Sequence, residues 1–136
     1  MVTMTGIYEG DKHCTLTHGP SNTQIHTDAP KDNNGRGEAF SPTDLVGAAL
    51  GSCILTTMAI YAEKNGIDIK GASFQVIKKM KLSPRMIAEL EVAITLPAHL
   101  TAEQRPALEE IAHTCPVTRS LNSEVKIPVT FTYQSL

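Results

Sequence analysis

Two of the three cysteines in this sequence, Cys53 and Cys115, stand in contexts that could support thiol chemistry. Cys53 lies in the middle of a run from Leu45 to Ala62 that has no charged side chain, and Cys115 directly precedes Pro116. Because proline interrupts a helix, a new helical turn can begin at Cys115, and the free N–H groups of a helix start favour a thiolate. The thiolate is the nucleophilic form of cysteine. The pair therefore indicates redox chemistry, with two packed small apolar side chains as the alternative.

Other chemistries find less support in the residue pattern. A zinc site that used His113 and Cys115 would need two more ligands from distant segments, since the five histidines show no paired spacing with cysteine and no CxxC is present. The sequence lacks a GxSxG elbow, and GAALGS lacks the lysine and the spacing of a phosphate-binding loop. We therefore expect no metal ion and no cofactor. The third cysteine, Cys14, falls in a predicted strand and is expected to be a packed side chain.

Composition indicates one ordinary folded domain. The chain of 136 residues is long enough to bury a core, and 12 basic against 14 acidic side chains give a formal net charge of -2. Because there is no basic cluster, we expect neither nucleic acid nor a membrane as a partner. The opening residues, MVTMTGIYEG, lack the positive start and apolar run of a signal peptide, and the odd cysteine number argues against structural disulfides. A cytoplasmic protein is expected.

Cys53 must be positioned by a long helix, which the sequence predicts from Pro42 to just before Gly66. Ser41 is a suitable N-cap, proline is favoured at the first helical position, and glycine is favoured just past the end. The helix is apolar nearly all round, so we expect burial on most of its faces. Its first half contains mainly small residues, which allows another backbone to approach closely. The uncharged run of about 18 residues is at the short limit for a membrane span and contains glycine, serine and threonine, so we interpret it as a core helix.

The remaining elements predict an α+β fold with a mainly antiparallel sheet. Short strands are predicted in residues 3–8, 13–17 and 23–27, a hairpin in 71–96, a second helix in 100–114 and a final strand in 127–133. A polar loop, residues 28–39, leads into the long helix. A helix as apolar as this one has more hydrophobic surface than one sheet and one further helix can bury. We expect a symmetric dimer with the thin part of this helix near the two-fold axis.

Two segments together resemble the osmotically inducible protein C (OsmC) and organic hydroperoxide resistance (Ohr) family. They are FSPTDLVGAALGSCILTTMAI, around Cys53, and AHTCPVTRSLN, around Cys115. The resemblance covers residues 1–136 as a single OsmC-like domain and implies an intertwined homodimer with two active sites at the subunit interface.

The resemblance also implies a thiol peroxidase. Cys53 would attack an organic hydroperoxide and become a sulfenic acid, Cys115 would condense with it to a disulfide, and a dithiol reductant would reopen that disulfide. Apolar walls from Leu50, Ile54 and Met58 would favour alkyl or lipid hydroperoxides over hydrogen peroxide.

One position departs from the family pattern. Family peroxidases carry a glutamate directly after the proline that starts the helix, where it orients an arginine that activates the thiolate. Thr43 stands there in this chain. Asp44 or Glu38 could substitute for the glutamate, and Arg36 is the nearest candidate arginine. The alternative function is a divergent member without peroxidase activity that binds a small apolar ligand at the dimer interface.

Overall fold

The computed structural model describes all residues from Met1 to Leu136, and they form two compact units, residues 1–46 and 47–136. The α+β class with antiparallel pairing and one long helix is as predicted. The expectation of a single domain over residues 1–136 stays a prediction.

Residues 1–46 contain one antiparallel sheet in the order β1-β2-β3. The strands are β1 (Met4–Tyr8), β2 (His13–His18) and β3 (Gln24–Asp28), which match the three predicted strands to within a residue. The register pairs His13 with Asp28, so alternate residues of β2 and β3 share a face. A connection that includes a short 3-10 turn, Lys31–Asn33, then leads to the long helix.

The long helix, α1 (Pro42–Lys64), has the predicted ends. The Ser41 Oγ accepts the Asp44 N–H at 3.0 Å and the Asp44 carboxylate accepts the Ser41 N–H at 2.9 Å, which forms a reciprocal capping box. At the other end Gly66 has a φ of 66°, and the Ile67 N–H donates to the Ala62 carbonyl at 2.8 Å. This left-handed cap is the reason for glycine at position 66.

Within the single chain α1 buries one stripe, and the expectation of burial on most faces, which included cover from a second copy, stays a prediction. The buried residues recur every three or four positions, and they are Gly47, Leu50, Gly51, Ile54, Met58 and Ala62. By length and composition alone α1 could span a membrane, a test that the core helix of a globular domain also passes. The cytoplasmic location expected from the sequence stays a prediction.

Residues 47–136 contain a second sheet in the order β4-β5-β6. Strands β4 (Ser73–Lys81) and β5 (Met86–Pro97) form the predicted antiparallel hairpin, and the predicted inner face of β5 is buried at Leu90, Val92, Ile94 and Leu96. The last strand, β6 (Val129–Gln134), pairs with β5 in parallel, which the sequence did not indicate.

Two helices connect β5 and β6. The first, α2 (Gln104–Ala112), begins later than predicted because residues 101–103 form a turn, although the Thr101 Oγ caps the Gln104 N–H at 3.2 Å as a helix N-cap would. The second, α3 (Pro116–Ser120), begins at the predicted proline break. The chain therefore changes direction between the two helices at Cys115.

Candidate functional site

Cys53 is a free thiol in the middle of α1 and is partly exposed. No hydrogen bond to its sulfur is present in the structure. On a helix, residues at i-4, i+3 and i+7 share its side, and here they are Ala49, Thr56 and Ile60, all of them exposed. Cys53 therefore borders a small, uncharged surface of the single chain.

The prediction that Leu50, Ile54 and Met58 form an apolar wall beside Cys53 was wrong. Leu50, Ile54 and Met58 are all 0% exposed, because they lie on the buried stripe of α1. Of the small residues in the first half of α1, Gly47 and Gly51 face the chain's own sheet, whereas Ala49 and Ser52 are exposed, and the two-fold axis near this half stays a prediction. A Cβ at Gly47 would contact Val76, and one at Gly51 would overlap the ring of Phe74.

Cys115 is held in a very different way. It is 0% exposed and has extended backbone angles, φ -66° and ψ 143°, at the N-cap of α3. The Thr118 N–H donates to its sulfur at 3.3 Å, and the Thr118 hydroxyl lies 3.0 Å from the same sulfur. Cysteine thus takes the place of the serine or aspartate that usually caps a helix. Pro116 follows at the first helical position, where its missing N–H costs nothing.

Both thiols lie in residues 47–136, and neither forms a disulfide in the structure. The remaining free cysteine, Cys14, is partly buried in β2 of residues 1–46. No group of three or more histidine, cysteine or acidic side chains is arranged to hold a metal ion.

The candidate activating residues lie in residues 1–46. Arg36 and Glu38 are exposed on the loop between β3 and α1. The Glu38 N–H donates to the Asp28 carboxylate at 3.0 Å. The carboxylate of Asp44 is engaged in the capping box with Ser41. The roles of Arg36, Glu38 and Asp44 stay predictions.

Sequence reasoning missed Asp28, the buried carboxylate that accepts a hydrogen bond from the Glu38 N–H. Asp28 is 1% exposed, and its Oδ1 lies 2.6 Å from the His13 Nδ1. The hydrogen bond from His13 lowers the pKa of the Asp28 carboxyl against the opposing effect of burial, and the Glu38 N–H and the positive charge of Arg36 lower it further. A carboxylate at the end of a strand carries no local signal of such a role, since the partners come from β2 and from the loop.

Comparison with known proteins identifies the family and the fold of the chain. A family model described as OsmC-like protein matches residues 35–130, a range that includes both Cys53 and Cys115. A search of the curated proteins gave no match. A candidate osmotic stress induced and detoxification response protein from Psychrobacter arcticus has a similar structure, with a TM-score of 0.92, 40% sequence identity, and coverage of 97% of this chain and 96% of that one.

Two further solved structures share the fold at low identity. An organic hydroperoxide resistance protein OsmC from Legionella pneumophila has a TM-score of 0.75 at 18% identity, covering 97% of this chain and 96% of that one. The organic hydroperoxide resistance protein OhrB of Bacillus subtilis has a TM-score of 0.71 at 17% identity, covering 97% and 98%. With a family model that matches well over half of its length, and with the fold of these structures, the chain belongs to the OsmC-like protein family.

Proposed function

We propose that this protein is a thiol-dependent peroxidase that reduces organic hydroperoxides to alcohols. The observation that carries the proposal is the pair of free thiols in residues 47–136, one partly exposed on α1 and one buried at the start of α3. An exposed thiol can meet a substrate, and a buried one is protected from it. Two proteins with the same fold are named organic hydroperoxide resistance proteins, which makes hydroperoxides the first substrates to test.

In the proposed reaction the Cys53 thiolate attacks the distal oxygen of the hydroperoxide. The S–O bond forms while the O–O bond breaks, and the leaving alkoxide takes a proton to become an alcohol. Cys53 is then a sulfenic acid. The Cys115 sulfur attacks the Cys53 sulfur, the S–S bond forms, and hydroxide leaves and is protonated to water. A dithiol reductant restores both thiols by exchange and supplies the two electrons that the hydroperoxide consumed.

We further propose that Arg36 stabilises the Cys53 thiolate and that Glu38 orients Arg36. Guanidinium groups stay charged and present several donors, which suits an anionic sulfur. Of the two candidate carboxylates, Asp44 already accepts the Ser41 N–H, whereas the Glu38 side chain is exposed and has no partner in the structure. This leaves Asp44 the role of a helix cap.

A homodimer is part of the proposal. In the single chain, Met4, Ile7 and Tyr8 of β1 are 70%, 69% and 66% exposed, and Ile60 on the Cys53 side of α1 is 52% exposed. Apolar side chains in such numbers usually mark an interface. A second copy of the chain would cover them. Light scattering on the purified protein is expected to give twice the chain mass, and a monomer at all concentrations would contradict the dimer.

The decisive experiment measures loss of an alkyl hydroperoxide in the presence of a dithiol such as dithiothreitol. We expect the wild-type protein to turn over and Cys53→Ser to lose at least about 100-fold of the rate, because the attacking atom is gone. Without reductant, Cys115→Ser is expected to consume one equivalent of hydroperoxide and to retain Cys53 as a sulfenic acid, whereas the wild type ends with a disulfide. Cys14→Ser is the matched control and should keep the wild-type rate.

A second candidate function rests on Thr43 and Asp44. With threonine in place of the family's glutamate and with the next carboxylate engaged in a cap, the chain could bind a small apolar molecule without reducing a peroxide. Wild-type protein that leaves the hydroperoxide unchanged, but loses affinity for an apolar dye when Cys53 is alkylated, would favour this function over the peroxidase.

A further inference from the structure

The loop between β3 and α1 carries Arg36 and Glu38, and hydrogen bonds close it at its base. The Asp28 N–H donates to the Phe40 carbonyl at 3.1 Å, and the Gly37 N–H donates to the Ala29 carbonyl at 3.2 Å. The loop therefore returns to its starting point. The exposed Arg36 lies on the returning arm of the loop, between Gly35 and Gly37, whose N–H groups donate to the Pro30 and Ala29 carbonyls at 3.0 and 3.2 Å.

The residues on either side of Arg36 permit only this path. Gly37 has a φ of 62°, a left-handed angle that favours glycine. A Cβ at Gly35 would overlap the carbonyl of Ala29, so a larger residue there would push the loop open. The backbone on both sides of the guanidinium is thus specified by local sterics.

Asp28 is the one buried ionisable side chain at the base of this loop. One carboxylate oxygen accepts the His13 Nδ1–H at 2.6 Å, and the other accepts the Glu38 N–H at 3.0 Å. The ring of His13 stacks on that of His26 with centroids 5.3 Å apart, which fixes the imidazole. Burying a carboxylate is costly unless its oxygens are paired, and here both are. The side chain joins strand β2 to the loop.

We infer that Asp28 is a positioning residue for Arg36, because it fixes the loop of residues 29–40 to the β1–β3 sheet so that the guanidinium is presented in one place. The inference rests on the proposed function, in which Arg36 stabilises the Cys53 thiolate. In this proposal Asp28 itself contacts neither the substrate nor the Cys53 sulfur. Its effect on the reaction passes through Arg36.

The first test is a double-mutant cycle on the rate at which an alkyl hydroperoxide oxidises Cys53 in a single turnover. We expect Arg36→Ala and Asp28→Ala each to slow this step by about 10-fold or more, since misplacement of a charged group costs rates of this order. The double variant should be no slower than Arg36→Ala alone. Multiplied effects in the double variant would overturn the inference.

Asp28→Asn is the matched control. Asparagine keeps the shape of the side chain and an oxygen that can accept the Glu38 N–H, so we expect its rate to stay within about 3-fold of the wild type. A rate as low as that of Asp28→Ala would show that the charge acts directly, and would contradict a role in positioning the loop.

The second test does not need catalysis. Trypsin cleaves after arginine, and Arg36 is an exposed site in the loop. Under native conditions we expect cleavage after Arg36 to be at least about 10-fold faster in Asp28→Ala than in the wild type, with an unchanged circular dichroism spectrum. Equal cleavage rates would overturn the inference. If Asp28→Ala does not fold, Asp28→Ser, which is also too short to reach the Glu38 N–H, is measured in the same way.

The two tests separate two failures. A wild-type protein that consumes no hydroperoxide would refute the proposed peroxidase, and the trypsin result would still decide whether Asp28 holds the loop. An active enzyme with an unchanged loop in Asp28→Ala would refute the inference and leave the peroxidase intact.

Discussion

In residues 47–136 the fully buried large side chains are hydrophobic, whereas in residues 1–46 the buried side chains are Thr27, Asp28 and Ser41. The larger unit therefore has a core of the usual kind, formed by the inner face of β5 and by apolar residues of α1 and α2. The smaller unit has a polar interior, held by hydrogen bonds, and apolar side chains that point outward. Such a sheet lacks a hydrophobic core of its own, and a few strands without one are only marginally stable in isolation.

This difference in packing corresponds to two separate roles in the proposed function. The larger unit holds both candidate thiols, with Cys115 at 0% exposure. The smaller unit holds the candidate arginine on a loop whose base is fixed by one carboxylate. A polar anchor is directional, so it can fix a loop where apolar packing would leave its orientation open.

The largest effect that tests the comparison is expected in the core of the larger unit. Leu90 is 0% exposed, so Leu90→Ala is expected to lower the free energy of unfolding by about 2–5 kcal/mol, measured by urea denaturation. Ile25 of β3 is 47% exposed, and Ile25→Ala is expected to cost less than about 1 kcal/mol in the monomer. Equal losses of unfolding free energy for both variants in the monomer would contradict the difference in packing between the two units. If Ile25→Ala lowers the unfolding free energy only at high protein concentration, a second copy of the chain buries Ile25.

A smaller effect tests how closely the larger unit is packed. A Cβ at Gly51 would overlap the Phe74 ring, so Gly51→Ala is expected to destabilise the protein by about 1–3 kcal/mol. Gly47 is the control on the same stripe, because a Cβ there would lie 3.4 Å from Val76 and 3.5 Å from Leu90, which is ordinary contact. Gly47→Ala is expected to be neutral or to stabilise by up to about 1 kcal/mol, since alanine favours the helix. Urea denaturation that ranks the two variants the other way round would contradict close packing at Gly51.

The smallest effect concerns a polar contact in the larger unit. The Tyr133 hydroxyl of β6 donates to the Glu109 carboxylate of α2 at 2.6 Å, and burial and then this hydrogen bond raise the pKa of Tyr133 well above its ordinary value. Tyr133→Phe is expected to lose about 1 kcal/mol near neutral pH.

The sign of the Tyr133 effect with pH follows from the raised pKa. The contribution is fully present below the pKa of tyrosine in the unfolded chain, about 10, and is lost as pH rises through the higher folded value. The difference in unfolding free energy between wild type and Tyr133→Phe should therefore be constant from about pH 6 to 9 and shrink above about pH 10. A difference that shrinks already between pH 6 and 8 would contradict this interpretation.

Local signals predicted much of the fold. Ser41 and Asp44 formed the capping box, Gly66 took the left-handed angle, and Pro116 ended one helix and began another. These features depend on residues a few positions apart, so the sequence states them directly.

Features that depend on distant segments could not be predicted. The parallel pairing of β6 with β5 is decided by how the two helices between them turn the chain. The bond between His13 and Asp28 joins residues of different strands, and the register that brings them together is a property of the whole sheet. The side of α1 that is exposed in the single chain was predicted to be buried. Apolar composition alone does not say whether the same chain or a second copy covers a helix face.

The sulfur of Cys115 accepts the Thr118 N–H and thereby secures the first turn of α3. If Cys115 is the resolving cysteine of the proposed cycle, the oxidation state of its sulfur and the backbone of α3 are coupled through this hydrogen bond. In the proposed cycle, a disulfide at Cys115 would reposition the sulfur that accepts the Thr118 N–H, and the first turn of α3 would change with it. A dithiol reductant would then distinguish the disulfide form from the reduced form by the conformation of α3, before any thiol–disulfide exchange begins.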